Sequence, residues 1–124
     1  MEHEHTEHVA ASPASVYAAI SDPANLPKFV PQVTAVRSAG GNRVEVDARY
    51  EGKEEHGSVY FRTDESARRI EWGSDNGYRG WMQVDADGEQ SRLTLYLRTT
   101  HSSERDFDVA STLDAIRMLV EAEV

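Results

Sequence analysis

Apolar and polar residues alternate in short segments between residues 33 and 101, and a period of two is typical of half-buried β-strands. From residue 103 to residue 124 the period becomes that of an amphipathic helix. Its apolar positions, which fall within about 60° of one another at 100° per residue, are Val109, Leu113, Ile116 and Val120. The pattern predicts an antiparallel meander and one C-terminal helix. Because the apolar face of such a sheet must be covered, we expect the C-terminal helix to pack over it and to enclose a cavity.

The N-terminal third predicts a strand and two short helices. Residues 2–10 are polar but end in an apolar pair, which favours an edge strand. Ser-Pro at 12–13 and Asp-Pro at 22–23 each place a capping side chain before a proline, the arrangement typical of a helix start. The second helix is expected to end before Pro31.

Glycine-containing turns predict the registers of the meander. Two-residue turns at Gly52-Lys53 and at Asp87-Gly88 each leave one strand face apolar or small. The pairs predicted by these two turns are Val46 with Val59 and Met82 with Leu93. For the hairpin between them, a three-residue loop at 75–77 is favoured, because a two-residue Asn-Gly turn would divide the apolar residues between two faces. This loop sets Trp72 over Gly80, an arrangement that stabilises a strand glycine.

The opening of the chain resembles that of a known superfamily. Residues 9–17 (VAASPASVY) and 21–29 (SDPANLPKF) resemble the first strand and helices of the START-like, polyketide cyclase/Bet v 1 (SRPBCC) superfamily. The resemblance implies an α+β helix-grip fold in a single domain spanning residues 1–124. In that fold a curved antiparallel sheet of about seven strands carries two short helices and a C-terminal helix across its concave face. Phe29 stands where many members have Trp.

The resemblance also implies a hydrophobic ligand between the sheet and the C-terminal helix; some members are cyclases or aromatases. Apolar contacts are expected from the sheet through Val59, Phe61, Trp72, Met82, Leu95 and Leu97, and from the helix through Val109, Leu113 and Ile116. Polar residues at strand ends are expected to gather at one end of the pocket and orient the ligand. They are Tyr50, Glu55, Ser74, Tyr78, Thr99 and His101. If the protein is an enzyme, Glu55 and His101 are the candidate proton carriers.

Composition narrows the partners. The net charge of -9 disfavours nucleic acid and anionic membranes as partners. There are no cysteines, and no apolar run approaches the roughly 20 residues of a membrane span, so we expect a cytoplasmic protein. We expect no cofactor, and a monomer or weak homodimer.

Two further features allow alternative interpretations. His3 and His5 could approach His101 as zinc ligands, but a solvated edge strand is favoured and no metal is expected. Trp81 is predicted on the outer sheet face, where it marks a protein interface or lies under a stacked arginine. Two alternatives to a binding module therefore stay open. One is an enzyme, a cyclase/aromatase or dehydratase acting on a polyketide-like substrate, and the other is a protein-interaction module that uses the outer sheet face around Trp81.

Overall fold

The computed structural model describes most of the chain. The described residues are 2–29, 33–38, 40–50, 52–73, 79–98 and 109–122, with the side chains of 48, 50 and 109–111 outside the description. The elements are β1 (Glu2–Val9), α1 (Pro13–Ile20), a 3-10 helix (Pro23–Asn25), α2 (Leu26–Phe29), β2 (Val33–Ser38), β3 (Arg43–Tyr50), β4 (Lys53–Asp64), β5 (Arg69–Gly73), β6 (Arg79–Asp87), β7 (Gln90–Arg98) and α3 (Val109–Ala122).

The strands form one seven-stranded antiparallel sheet in the order β1-β7-β6-β5-β4-β3-β2. The first two strands therefore occupy opposite edges, and the segment carrying α1 and α2 crosses from one edge to the other. An open antiparallel sheet with three helices, one of them C-terminal, confirms the predicted helix-grip architecture.

Both predicted helix starts are confirmed. The Ser12 hydroxyl accepts a hydrogen bond from the Ser15 backbone N–H at 3.2 Å, and the Asp22 carboxylate accepts one from Ala24 at 3.0 Å. Each side chain satisfies a backbone donor that the first helical turn leaves without a partner.

Two predicted registers were wrong by two residues. Val46 pairs with Gly57 rather than Val59, and Met82 pairs with Leu95 rather than Leu93. The partners nearest the two turns are Tyr50 with Lys53 and Asp87 with Gln90, and Gly52 and Gly88 between them have φ values of +81° and +65°. Side chains alternate with a period of two, so a shift of two residues changes partners but not faces. The predicted inner face therefore survives both corrections.

The third hairpin has the predicted register. Trp72 pairs with Gly80, and a Cβ atom placed on Gly80 would lie 2.5 Å from Trp72 Cζ2 and 2.7 Å from the Tyr96 carbonyl oxygen. The indole thus occupies the space that a side chain at position 80 would need. This contact ties β5 to β6 in a single register.

The helices cover one side of the inner face. Helix α1 packs on β6 and β7, α3 packs on β1, β7, α1 and α2, and α2 packs on β2. The fully buried side chains at the centre of this core, each at most 2 % exposed, are Val16, Ile70, Val84, Leu93, Leu95, Leu113, Ile116 and Val120. Burial of such side chains supplies most of the free energy of folding.

An ion-pair cluster fixes α3 to the edge strand. Arg117 Nε donates to Glu7 Oε1 at 3.1 Å, and its other nitrogens lie 3.6 Å from Asp114 and 3.5 Å from Glu121. Glu121 in turn accepts a hydrogen bond from the Ala10 backbone N–H at 2.9 Å. Desolvation and the neighbouring Asp114 raise the pKa of Glu7, against the opposing effect of Arg117. Because Glu7 binds a proton more tightly in the folded state, its contribution to stability falls as the pH rises through this raised pKa.

We predict that Gly80→Ala lowers the free energy of unfolding by about 1–3 kcal/mol, because the new methyl group overlaps Trp72 and a backbone oxygen. Gly57→Ala is the matched control, since a Cβ there meets nothing within 4 Å and its φ is ordinary for a strand. Urea unfolding of the two variants measures the difference. Equal stabilities would contradict the tight Trp72–Gly80 contact.

Candidate ligand-binding site

The inner face of the sheet divides into a closed part and an open part. The closed part lies mainly on β6 and β7, where Met82, Val84, Leu93, Leu95 and Leu97 are all buried, and it continues through the buried side chains of Ile70, Phe61 and Val44 on β5, β4 and β3. It is the part on which α1 and α3 pack. Here the apolar surface is already covered by the protein's own helices.

The open part is a diagonal strip of half-buried apolar side chains. It consists of Val36, Val46, Val59 and Trp72, one from each strand from β2 to β5, and we call it the open strip. Val36 is the cross-strand partner of Val46, whereas Val59 and Trp72 follow as diagonal neighbours. All four pack against the core cluster on one side and keep part of their surface accessible. The strip is therefore apolar surface at the boundary of the core.

A bulge extends the open strip along the edge strand β2. The β2–β3 register shifts between Val33 and Ala35, which brings the half-buried Val33 to the inner face three residues before Val36. Strict alternation would have placed these two valines on opposite faces. Val33, Val36 and Val46 were absent from the predicted ligand contacts, and the three-residue valine spacing was the available signal for the first two.

The predicted apolar contacts fall into two groups. Phe61, Met82, Leu95, Leu113 and Ile116 belong to the buried core cluster, and Leu97 is likewise only 1 % exposed. Val59 and Trp72 are half-buried at the edge of that cluster. Seven of the eight thus lie in or against one core cluster, Leu97 is buried without belonging to that cluster, and only Val59 and Trp72 are half-buried. The side chain of Val109 lies outside the described residues.

Of the six polar side chains predicted at one end of the pocket, the structure describes one, that of Glu55. Glu55 is exposed and lies four residues along β4 from Val59, a strand distance of about 13 Å. It pairs with Ala48, whereas the predicted turn at Gly52-Lys53 would have set it opposite Tyr50. The other five predicted polar positions lie outside the described residues or side chains, and they are Tyr50, Ser74, Tyr78, Thr99 and His101.

A polar groove lies over the β2–β4 part of the sheet. It is a groove of about 360 Å³ lined by Thr34, Asp47, Glu54, Glu55 and His56. His56 Nδ1 lies 2.6 Å from Asp47 Oδ1, and Arg37 donates to the same carboxylate at 3.0 Å. The hydrogen bond to Asp47 raises the pKa of His56, and hydrogen bonds from His56 and Arg37 lower the pKa of Asp47.

Neither the groove nor the edge strand β1 shows, among the described residues, the group of ligating side chains that a metal site requires. Among the described residues, no group of three or more His, Cys, Asp or Glu side chains is placed to hold a metal ion. His3 and His5 pair with Leu97 and Leu95 along β1, and His101 lies outside the described residues.

The indole of Trp81 is contacted by side chains of neighbouring strands in the same sheet. The Arg69 guanidinium lies 4.2 Å from the centre of the indole, and the Tyr96 ring stacks beside it with a centroid distance of 5.6 Å. Arg69 is further held by Glu71 and Gln83 at 3.2 and 3.1 Å. The stacked-arginine interpretation therefore accounts for Trp81, with Arg69 as the arginine.

Comparison with known families agrees with this architecture. The model of the family described as polyketide cyclase / dehydrase and lipid transport matches residues 2–124. The chain belongs to this family. No curated protein matches this member of the polyketide cyclase/dehydrase family in sequence.

Solved structures share the fold of this family member. TTHA0849 from Thermus thermophilus has a TM-score of 0.80 at 21% identity, with 99% of each chain covered. The Zhui aromatase/cyclase from a Streptomyces species has a TM-score of 0.77 at 17% identity, covering 99% of this chain and 94% of that chain. A START superfamily protein from Mycobacterium smegmatis has a TM-score of 0.78 at 12% identity, with 99% of each chain covered. These similarities show a common fold. The match of the family model confirms the predicted membership of the START-like, polyketide cyclase superfamily.

Within the described residues, no helix of this family member is long and apolar enough to cross a membrane.

We predict that the imidazole of His56 titrates above its ordinary pKa of 6.5, because the Asp47 carboxylate stabilises the charged form. Any stability from this pair is present in full below pH 6.5 as long as Asp47 stays ionised. It is lost as the pH rises through the raised pKa of His56, and again as the pH falls through the lowered pKa of Asp47. Following the His56 ring protons by NMR should show a lower midpoint in Asp47→Asn. Glu54→Gln removes a carboxylate from the same groove without touching this hydrogen bond, so it is the control. An unchanged midpoint in Asp47→Asn would contradict the assignment.

Proposed function

We propose that the protein is a small-molecule binding module whose ligand is apolar and covers the open strip. The supporting observation is the change in burial along the inner face. Side chains under α1 and α3 are fully buried, whereas Val36, Val46, Val59 and Trp72 remain half-buried beside them. A concave apolar site beside a closed core is the usual form of a ligand pocket. In this proposal residues 1–124 act as one domain.

Hydrophobic burial provides the driving force for this proposal. Covering apolar surface yields roughly 25 cal/mol for each Å² removed from water, so a small molecule lying across four side chains binds measurably. Trp72 is anchored by its contact with Gly80, and a rigid aromatic wall loses little conformational freedom when a ligand arrives. The strip therefore supports binding of a compact, predominantly apolar molecule.

The polar end of the ligand is assigned by sequence position. Ser74, Tyr78 and Thr99 each lie two residues beyond an inner-face residue of the described sheet, namely Trp72, Gly80 and Leu97. We propose these three positions, with Tyr50 and His101, as the hydrogen-bonding groups that orient the ligand. Glu55 is a weaker candidate because its side chain is exposed about 13 Å from Val59 along the strand.

Binding of a neutral apolar probe tests the proposal. N-phenyl-1-naphthylamine should bind saturably with one probe per chain, and Val59→Phe should weaken binding by about tenfold because the larger side chain fills the strip. Ser58→Gln is the matched control, since Ser58 is the exposed neighbour on the opposite face of β4. Val46→Phe gives a second test if Val59→Phe folds poorly. Absence of saturable binding, or wild-type affinity in both valine variants, would refute the proposal.

A cyclase-type enzyme is the second candidate function, supported by the family description and by the fold of the Zhui aromatase/cyclase. In such an enzyme the pocket would contribute mainly by holding a reactive chain in a folded shape. His101 and Glu55 are the proposed proton carriers.

Turnover of a polyketide-like substrate distinguishes catalysis from binding alone. If the protein is a cyclase, His101→Ala should lower kcat by roughly 100-fold or more, the usual contribution of a general acid or base. Glu55→Gln should have a smaller effect because that carboxylate is exposed. A wild-type kcat in both variants would remove these residues from the mechanism, and no turnover by the wild type would favour binding alone.

A further inference from the structure

Three glycines lie within the described strands of the sheet, and they are Gly57 on β4, Gly73 on β5 and Gly80 on β6. A glycine inside a strand has no side chain to pack against its neighbours, so it leaves a gap on one face of the sheet. A Cβ atom on Gly73 would lie 2.7 Å from Tyr60 Cε1, and one on Gly80 would lie 2.5 Å from Trp72 Cζ2. Two of the three gaps are therefore filled by aromatic rings of the chain itself.

The gap at Gly57 is not filled by the described residues. A Cβ atom placed there would meet no atom within 4 Å, and the residue is exposed. Its φ is ordinary for a strand, so no left-handed backbone conformation accounts for the glycine. The pairing of β4 with β3 continues on both sides of it. Gly57 therefore leaves open space above a regular, paired segment of the sheet.

This open space adjoins the open strip on the inner face. Gly57 is the direct strand partner of Val46, and Val59 follows two residues along β4. Cross-strand partners have Cβ positions about 5 Å apart, and alternate residues of one strand lie roughly 7 Å apart. A group that covers Gly57 therefore contacts both valines. Beyond Val46, its partner Val36 continues the same row to β2, so the row consists of two half-buried valines and an uncovered glycine.

We infer that a flat ring of the ligand lies over Gly57, as the two aromatic side chains lie over the other strand glycines. A glycine lets the face of a ring approach the strand backbone closely, whereas any side chain at that position would hold the ring away. The inference rests on the proposed binding function and narrows the ligand to planar, ring-bearing molecules. Gly57 is accordingly the residue that selects the ligand by shape.

The NMR signals of the glycine Hα protons test the position of the ring directly, because protons that lie against the face of an aromatic ring resonate upfield. Gly80 lies against the indole of Trp72 in the free protein, so its Hα signals show the size of the effect. Saturation with N-phenyl-1-naphthylamine should move the Gly57 Hα signals upfield by a comparable amount and leave those of Gly80 in place. Saturation with decanol, which has no ring, should give no upfield shift at Gly57.

A side chain introduced at position 57 tests the selection by shape. Gly57→Val should weaken binding of N-phenyl-1-naphthylamine by about tenfold and keep that of decanol within about threefold, since an aliphatic chain still covers the valines of the open strip. Ser58→Val is the matched control: it adds the same side chain at the exposed neighbour on the outer face and should bind both probes like the wild type. Gly57→Val should keep or raise Tm, because the space is open and valine favours strands.

The outcomes separate this inference from the proposed function. If the wild type binds neither probe, the proposed function fails and the inference fails with it. If N-phenyl-1-naphthylamine binds saturably without an upfield shift at Gly57, or if Gly57→Val weakens both probes equally, only the inference is overturned. An upfield Gly57 signal in the free protein would also overturn it, because a ring of the chain itself would then cover the glycine. So would a clear fall in the Tm of Gly57→Val, which would assign the glycine to the backbone of β4.

Discussion

The packing of Trp72 on Gly80 fixes the register between β5 and β6, and both faces of the sheet follow from that register. A Cβ at position 80 would lie only 2.5 Å from the indole, so one strand residue is restricted to glycine by its partner. A slip of one residue would turn Met82 and Val84 to the outer face. Holding this pair in place keeps the apolar residues on one face, and that face becomes both core and binding surface.

The inner face serves two purposes because the helices reach only part of it. Helix α3 is held toward the β1 edge by Arg117, which contacts Glu7 across the helix–strand boundary, and α1 covers β6 and β7. Surface beneath these helices becomes core. The open strip from β2 to β5 keeps accessible apolar surface. The proposed ligand would cover this surface, as the helices cover the rest of the inner face. The outer face, in contrast, is held by aromatic stacking and ion pairs.

The parts of the fold that were predictable from sequence are those set by the periodicity of apolar residues and by helix-capping side chains. A register error of two residues does not change which face of the sheet a side chain lies on, because side chains alternate with a period of two. The inner face was therefore predicted correctly although the turns at Gly52 and Gly88 were misplaced. The site was less predictable, because an apolar pattern does not distinguish a side chain that meets a ligand from one that meets another side chain. Phe61 and Leu95 illustrate this, since both are core residues. Glu55 was assigned to the polar end of the pocket because the misplaced turn at Gly52-Lys53 set it opposite Tyr50 at the strand end, whereas it pairs with Ala48.

The division of the inner face into core and binding surface is tested by an NMR titration of protein with labelled Val, Leu and Ile methyl groups, using N-phenyl-1-naphthylamine. We expect saturable shifts concentrated at Val36, Val46 and Val59, with little change at Val84 and Leu93, which lie in the closed part. Shifts concentrated at Val84 and Leu93, or none at the three open-strip valines, would contradict that division.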